Sequence, residues 1–132
     1  EVFDPAVNPY AVRVVITGSR PDPSAFGEFP HFISFDGFID VEYTPEQLER
    51  VALISEPFCR YAKWKGGPEP LPAQEKQVIE QLIAKSHKAG KPIRFWCSPD
   101  NAVAWETFRK LGIDIINTDQ PEACTLYFQQ NP

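Results

Sequence analysis

The chain has 132 residues, 42% of them hydrophobic and 23% charged, the balance expected of one globular domain large enough to bury a core. Its net charge of −5 argues against a nucleic-acid binder that works by general attraction to phosphates, yet leaves room for a local cationic pocket. No apolar run approaches the ~20 residues needed to cross a bilayer.

No signal-peptide pattern opens the sequence, and with Glu at its first position and no Met it reads as a processed product or a fragment. Cys59, Cys97 and Cys124 are an odd set without CxxC spacing. Neither a zinc site nor a disulfide framework is expected, Cys97 reads as a small core residue, and the redox compartment stays open.

Residues 1–10 (EVFDPAVNPY) are punctuated by proline and aperiodic, an extended lead-in. "VRVVITG" from Val12 to Gly18 is a near-continuous β-branched run, as expected for a strand buried on both faces of a parallel sheet. "SRPDPSAFGEFP" is too rich in Pro and Gly for a long helix. "FISFDG", Phe32 to Gly37, reads as a second strand.

"TPEQ" at 44–47 has the form of a capping box, with Thr44 as N-cap, Pro45 at N1 and Gln47 at N3. The helix it starts is expected to run to about Arg50. "VALIS" at 51–55 fits a short strand or a buried loop. Residues 56–72 form a long irregular segment mixing aromatics with Arg60, Lys63 and Lys65, and loops of that length in compact domains are often functional. Lys63 and Lys65 flank Trp64 beside Gly66-Gly67, which suggests a mobile anion clamp or simple core cover.

From Ala73 to Ala89 a helix is expected, with Val78, Ile79, Leu82, Ile83 and Ser86 on one face and Gly90 as its stop. "KPIRFWCSPDN" follows as a strand. Read with period 2, Ile93, Phe95 and Cys97 share the core face, and Arg94 and Trp96 share the other. Asn101 to Leu111 is a helix burying Ala104, Trp105, Phe108 and Leu111. "IDIINTD" reads as a last strand, and "PEACTLYFQQ" as a terminal helix. Helix, strand, helix, strand, helix with tight junctions is the signature of βαβ units in an α/β fold.

Ligands of parallel α/β proteins bind at the C-terminal ends of strands. The residues expected there are Thr17, Ser19 and Arg20, then Asp36, then Trp96, Ser98 and Asp100, then Asn117, Thr118 and Asp119. Together these groups suit an oxygen-rich anion, phosphate above all. Bland readings stand beside them: Asp119 and Asp100-Asn101 as helix caps, Asp36-Gly37 as a turn, Arg20 as a solvated cation. Arg94, mid-strand between apolar neighbours, must meet a carboxylate or a bound anion, and Asp114 is the natural structural partner. His31 precedes its strand and His87 sits in a helix's last turn, so neither is placed for acid–base work. Glycine-rich nucleotide loops, nucleophile elbows and HExxH are missing.

"VVITGSRP", "FISFDG", "YAKWKG" and "KPIRFWCSPDN" with "AWETFRKLGIDIINTD" resemble, in order, the C-terminal half of the PLC-like phosphodiesterases. That superfamily includes glycerophosphodiester phosphodiesterases and phosphatidylinositol-specific phospholipases C. The resemblance covers roughly residues 10–125. It implies the last four strands of a (β/α)8 TIM barrel, with covering helices.

It also implies lipid-type phosphodiesters of glycerol or inositol as substrates, and Mg or Ca as a cofactor of the full barrel that this chain alone would not hold. The family's catalytic histidines and metal carboxylates come mainly from the other half. Substrate or phosphate contact then falls to Ser19, Arg20, Asp36, Lys63, Lys65, Arg94, Trp96, Asn117 and Asp119. Export is common among bacterial relatives. A half barrel would leave strands 12–18 and 113–117 as open edges, to be hidden by a complementary N-terminal half or by self-association. The rival readings are a non-catalytic module holding a phosphate-bearing ligand, and an unrelated flavodoxin-like domain.

Overall fold

A computed structural model describes residues 12–132; the lead-in at 1–10 lies outside the described residues. The fold is α/β. Four strands form one parallel sheet whose order follows the chain: β1 (Val14–Ile16), β2 (Ile33–Gly37), β3 (Val51–Pro57) and β4 (Ile93–Trp96). Five helices accompany them: α1 (Pro45–Arg50), α2 (Phe58–Tyr61), α3 (Ala73–Lys88), α4 (Ala102–Leu111) and α5 (Pro121–Gln130). None is long and apolar enough to cross a membrane. The chain divides into two compact units, the first ending at Ile54 and the second running from Ser55 to Pro132, so that the division falls within β3.

In the first unit, β1 pairs with β2 from Val14↔Ile33 to Ile16↔Phe35. β2 pairs with β3 through Phe35↔Val51, Asp36↔Leu53 and Gly37↔Ile54, with a register shift between Phe35 and Asp36. The loop between β1 and β2 makes only a short 3₁₀ helix, Pro23–Glu28, for which Asp22 accepts hydrogen bonds from the Ser24 N–H and hydroxyl. Phe26 from this helix stacks on Phe35 at 4.0 Å, and Phe29 meets Phe35 edge-on at 5.3 Å. These rings lie on one side of β2. Alternation therefore sends Ser34 and Asp36 to the other side.

The capping box forms as the sequence predicts. Thr44 Oγ1 accepts from the Gln47 N–H at 3.3 Å, and Gln47 Oε1 accepts from the Thr44 N–H at 2.9 Å. The helix stops at Arg50, whose guanidinium donates to the carbonyls of Phe29, Pro30 and Ile33. β1 is the edge strand: among the described residues no strand pairs with its outer side, and Val14 and Val15 are both exposed. The run expected to be buried on both faces is thus short and largely open.

"VALIS" resolves as strand, and β3 continues beyond it through Glu56 and Pro57, into the second unit. Of the expected irregular segment 56–72, the first residues are strand and 58–61 are helix; 62–72 is irregular. Phe58 is the hub of the core, meeting Phe95 at 6.2 Å and Phe108 at 5.4 Å, both edge-on. Ile79 and Ile83 of α3 and Ile93 of β4 are also buried in this unit.

α3 buries Ile79, Ile83 and Ser86, whereas Val78 is exposed. It ends in a Schellman motif: Lys91 N–H reaches the Ser86 carbonyl at 3.1 Å, and Gly90 N–H reaches that of His87 at 2.9 Å, with Gly90 at φ 69°. α4 starts on Asn101, whose Oδ1 accepts from the Ala104 N–H at 3.0 Å, and ends on Gly112 at φ 83°. It buries Ala104, Trp105 and Phe108, with Leu111 only half-buried.

Residues 113–119 do not form the expected last strand. A single parallel bridge joins Arg94 to Ile115. The physical reason is local. The Ile93 N–H, which a continuing ladder would pair with a backbone carbonyl, instead donates to the Asp114 carboxylate at 2.8 Å. Ile115 N–H reaches the Ile93 carbonyl at 3.2 Å, and the pairing goes no further.

Candidate functional site

The residues that the sequence assigns to phosphate contact fall in both units: Ser19, Arg20 and Asp36 in the first, and Lys63, Lys65, Arg94, Trp96, Asn117 and Asp119 in the second.

In the first unit, Asp36 stands near the C-terminal end of β2 with its side chain almost fully buried. Thr17 donates its hydroxyl proton to Oδ2 at 2.6 Å, and Arg20 Nη1 donates to Oδ1 at 2.5 Å. The Arg20 guanidinium also lies 3.7 Å from the centre of the Phe38 ring. Arg20 is therefore neither a solvated cation nor a loose one. It is an ion pair with Asp36 and forms part of the wall of a cavity of about 380 Å³ that Phe38 and Tyr43 also line. Ser19 is exposed in the Gly18–Ser19 bend beside them.

In the second unit, the alternation of β4 holds over its four residues. Ile93 and Phe95 are buried, Arg94 is half-buried, and Trp96 is 44% exposed. Arg94 donates from Nε (3.3 Å) and Nη2 (2.8 Å) to the Ser55 hydroxyl, near the C-terminal end of β3. Next to Ser55, the side chain of Glu56 is sealed in: the residue is 1% exposed and accepts a hydrogen bond from Tyr61 Oη at 2.8 Å. A guanidinium and a buried carboxylate thus stand on adjacent strands of this unit, and the guanidinium is the group able to bind an anion.

The sequence reading ends this element at Ser55 and opens an irregular segment at Glu56, so neither residue is expected in the site. The signal was present: "SEP" places two polar residues on the end of an apolar run.

Asp114 is not the partner of Arg94. It accepts from the Ile93 N–H and from His87 Nε2, each at 2.8 Å. Burial pushes its carboxyl pKa up, but the His87 and Ile93 hydrogen bonds outweigh that, and the net shift is down. His87 is thereby tied into the junction of α3 and β4.

Asp119 does not cap α5; the N-cap is Gln120, with no side-chain hydrogen bond. Nor does Asp100 cap α4, a role taken by Asn101. Asp100 is instead a hub. It accepts from Trp105 Nε1 at 2.8 Å and from the Asp119 N–H at 2.9 Å, while Gln120 Nε2 donates to its carbonyl at 3.1 Å. Burial alone would raise its pKa. Hydrogen bonds from Thr118, the Asp119 N–H, Trp105 and Gln120 more than offset this and hold it below the ordinary value. Asn117 and Thr118 are half-buried in the same turn, and Thr118 Oγ1 accepts from the Gln120 N–H at 2.9 Å.

Lys63 and Lys65 are exposed, but the segment between them is pinned, not hinged. Trp64 is buried, its Nε1 donating to the Glu69 carbonyl at 2.7 Å and its N–H to Glu75 at 3.1 Å. Gly66 is buried at φ 71°, so close to Pro99 and Asn101 that a Cβ would sit 2.8 Å from each. The clamp reading therefore loses its mobile part and keeps its two cations.

Cys97 is not a core residue. It is exposed, adopts φ 53°, and forms a disulfide with Cys59, their Cα atoms 5.7 Å apart. The bond ties the start of α2 to the exit of β4 across 38 residues, a separation that carries no sequence signal. Together with Phe58, Ala62, Trp64, Lys65, Ser98 and Pro99, the two cysteines line a cavity of about 300 Å³.

Among the described residues no group of three or more His, Cys, Asp or Glu side chains is arranged to hold a metal ion. These residues do not by themselves fit a resident divalent cation. No family model matches the chain, and neither a curated protein nor a solved structure is significantly similar to it.

Proposed function

We propose that this chain is the phosphate-contacting C-terminal half of a PLC-like phosphodiesterase barrel, acting on diesters of glycerol or inositol type and inactive without its other half. The parallel sheet with strand order following the chain is compatible with four consecutive barrel strands. The observation that carries the reading is the orientation of Arg94. Its guanidinium is held by Ser55 on the side of β4 opposite the buried Ile93 and Phe95, near the C-terminal strand ends where such folds bind ligands. A guanidinium in that place stabilises a phosphoryl group through charge-assisted hydrogen bonds. Lys65 and Trp96 add a cation and an exposed ring within the same unit.

The chemical step would need an acid–base group and, in the family, a divalent metal. No step is assigned to the metal here, because the residues described do not form a site for it. Binding is the function that these residues can perform alone. Calorimetric titration of the chain with a glycerophosphodiester is the test. Arg94→Gln is expected to weaken binding about tenfold or more, the worth of a hydrogen bond to a charged group. Equal affinity of the two proteins would overturn the assignment of Arg94. Hydrolysis of a chromogenic phosphodiester by the chain alone, with magnesium or calcium, would overturn the half-site reading.

The same reading accounts for β1. An apolar edge with open N–H and C=O groups is a template for a further strand, and the complementary half-barrel or a second copy of the chain would supply it. Sedimentation at micromolar concentration is expected to show an assembly, and a stable lone monomer would overturn this part.

A further inference from the structure

The Cys59–Cys97 bond lies open at the surface. Both cysteines are exposed, and both line the same cavity of about 300 Å³. Cys97 also holds a left-handed backbone conformation, φ 53°, which a residue with a Cβ adopts at some cost. Exposed disulfides are the ones open to exchange. The cavity has a chemical bias as well. Among the described residues that line it, Lys65 is the one charged group, none is acidic, and Phe58, Ala62, Trp64 and Pro99 make the remainder largely apolar. The pinning of Trp64 and the tight seat of Gly66 fix the backbone that carries Lys65, so the base of this side chain is held at the wall.

We propose that this cavity is a thiol–disulfide exchange site for a small thiol that carries carboxylates, with Lys65 attracting the anion and Cys59–Cys97 as the bond exchanged. The attacking thiolate forms a bond to one of the two sulfurs, and the Cys59–Cys97 bond breaks. The departing sulfur leaves as a thiolate and takes up the proton that the attacking thiol lost. A second small thiol attacks the mixed disulfide in the same way. The net products are two protein thiols and one small-molecule disulfide, with two electrons and two protons transferred to the protein. Reduction unties the start of α2 from the exit of β4, and so changes the wall of the cavity itself. This inference is independent of the phosphodiesterase reading.

The test uses the full native chain, with reduced glutathione as the anionic thiol and 2-mercaptoethanol as the neutral one. Acid-quenched samples are alkylated and mapped by mass spectrometry. Reduction of native protein is expected, with a glutathione adduct on Cys59 or Cys97 as the intermediate. The glutathione-to-mercaptoethanol rate ratio is expected to fall about two- to fivefold in Lys65→Gln, the effect of one exposed charge pair, and to fall in the native chain as salt is raised. The neutral thiol normalises for any change in access to the bond. Reduction only after the protein is denatured would overturn the proposal and make the bond a brace. An unchanged rate ratio in Lys65→Gln would overturn the cavity as an anionic-thiol site.

Discussion

Arg94 of β4 rests on the hydroxyl of Ser55 of β3, and the two are 39 residues apart in sequence. The contact fixes the direction of the guanidinium, so the two residues differ in what their loss should do. Arg94→Gln removes the charge and, on the proposed reading, is expected to remove most of the affinity for a phosphodiester. Ser55→Ala keeps the charge but loosens its aim. Calorimetry is expected to show about a fivefold loss for Ser55→Ala, corresponding to one hydrogen bond of about 1 kcal/mol. Unchanged affinity in Ser55→Ala would confine Ser55 to a role in the sheet.

The Arg20–Asp36 ion pair is largely buried, its side chains 10% and 6% exposed. Removing one partner leaves the other largely buried without its counter-charge. Asp36→Ala is expected to cost about 3–5 kcal/mol, read as a lower urea midpoint, because Arg20 and the Thr17 hydroxyl both lose their acceptor. The double variant Arg20→Met with Asp36→Leu is expected to lose much less than the two single losses combined. Strict additivity in the double-mutant cycle would show that the pair is not coupled.

Asp100 gathers Trp105, Thr118 and the Asp119 N–H around one carboxylate. Asp100→Ala leaves the buried indole N–H without its acceptor and is expected to cost about 1–3 kcal/mol. The pH dependence has a definite sign. The carboxyl titrates below its ordinary value of 3.8 in the folded chain. Its contribution is therefore fully present above that value, and is lost as pH falls from there through the lower folded pKa. The stability gap between neutral pH and about pH 3 should be smaller in Asp100→Asn than in the native chain. Equal gaps in urea titrations would contradict this.

Gly66 and Gly67 are neighbours with opposite tolerance. A Cβ on Gly66 would press on Pro99 and Asn101 at a backbone conformation that favours glycine, while one on Gly67 would meet nothing within 4 Å. Gly66→Ala is expected to lose more than about 1–2 kcal/mol, the cost of left-handed backbone alone, and Gly67→Ala close to nothing. Thermal melts of the two variants decide it, and equal melting temperatures would refute the packing argument.

What the sequence revealed follows the range of the physics involved. The Thr44–Gln47 box and the Gly90 stop were legible because each is settled within a few residues. The alternation Ile93/Phe95 against Arg94/Trp96 was legible for the same reason. Residues 113–119 were misread because an apolar run cannot show that the carboxylate of Asp114 will take the N–H a strand would need. The partner of Arg94, the hub role of Asp100 and the Cys59–Cys97 bond were hidden because each joins distant segments. Of the residues expected in the site, Arg94 is held by Ser55 and Arg20 by Asp36, whereas Asp119 donates its backbone N–H to Asp100.

Cys124 lies buried in α5, its thiol pKa pushed up by burial and by the nearby Asp100 charge. With the other two cysteines bonded, it is the one free thiol of the oxidised chain. That makes it an intrinsic clock for the C-terminal helix. A reagent in solution can consume it only while the helix is displaced, so its rate of disappearance counts opening events without any label being introduced.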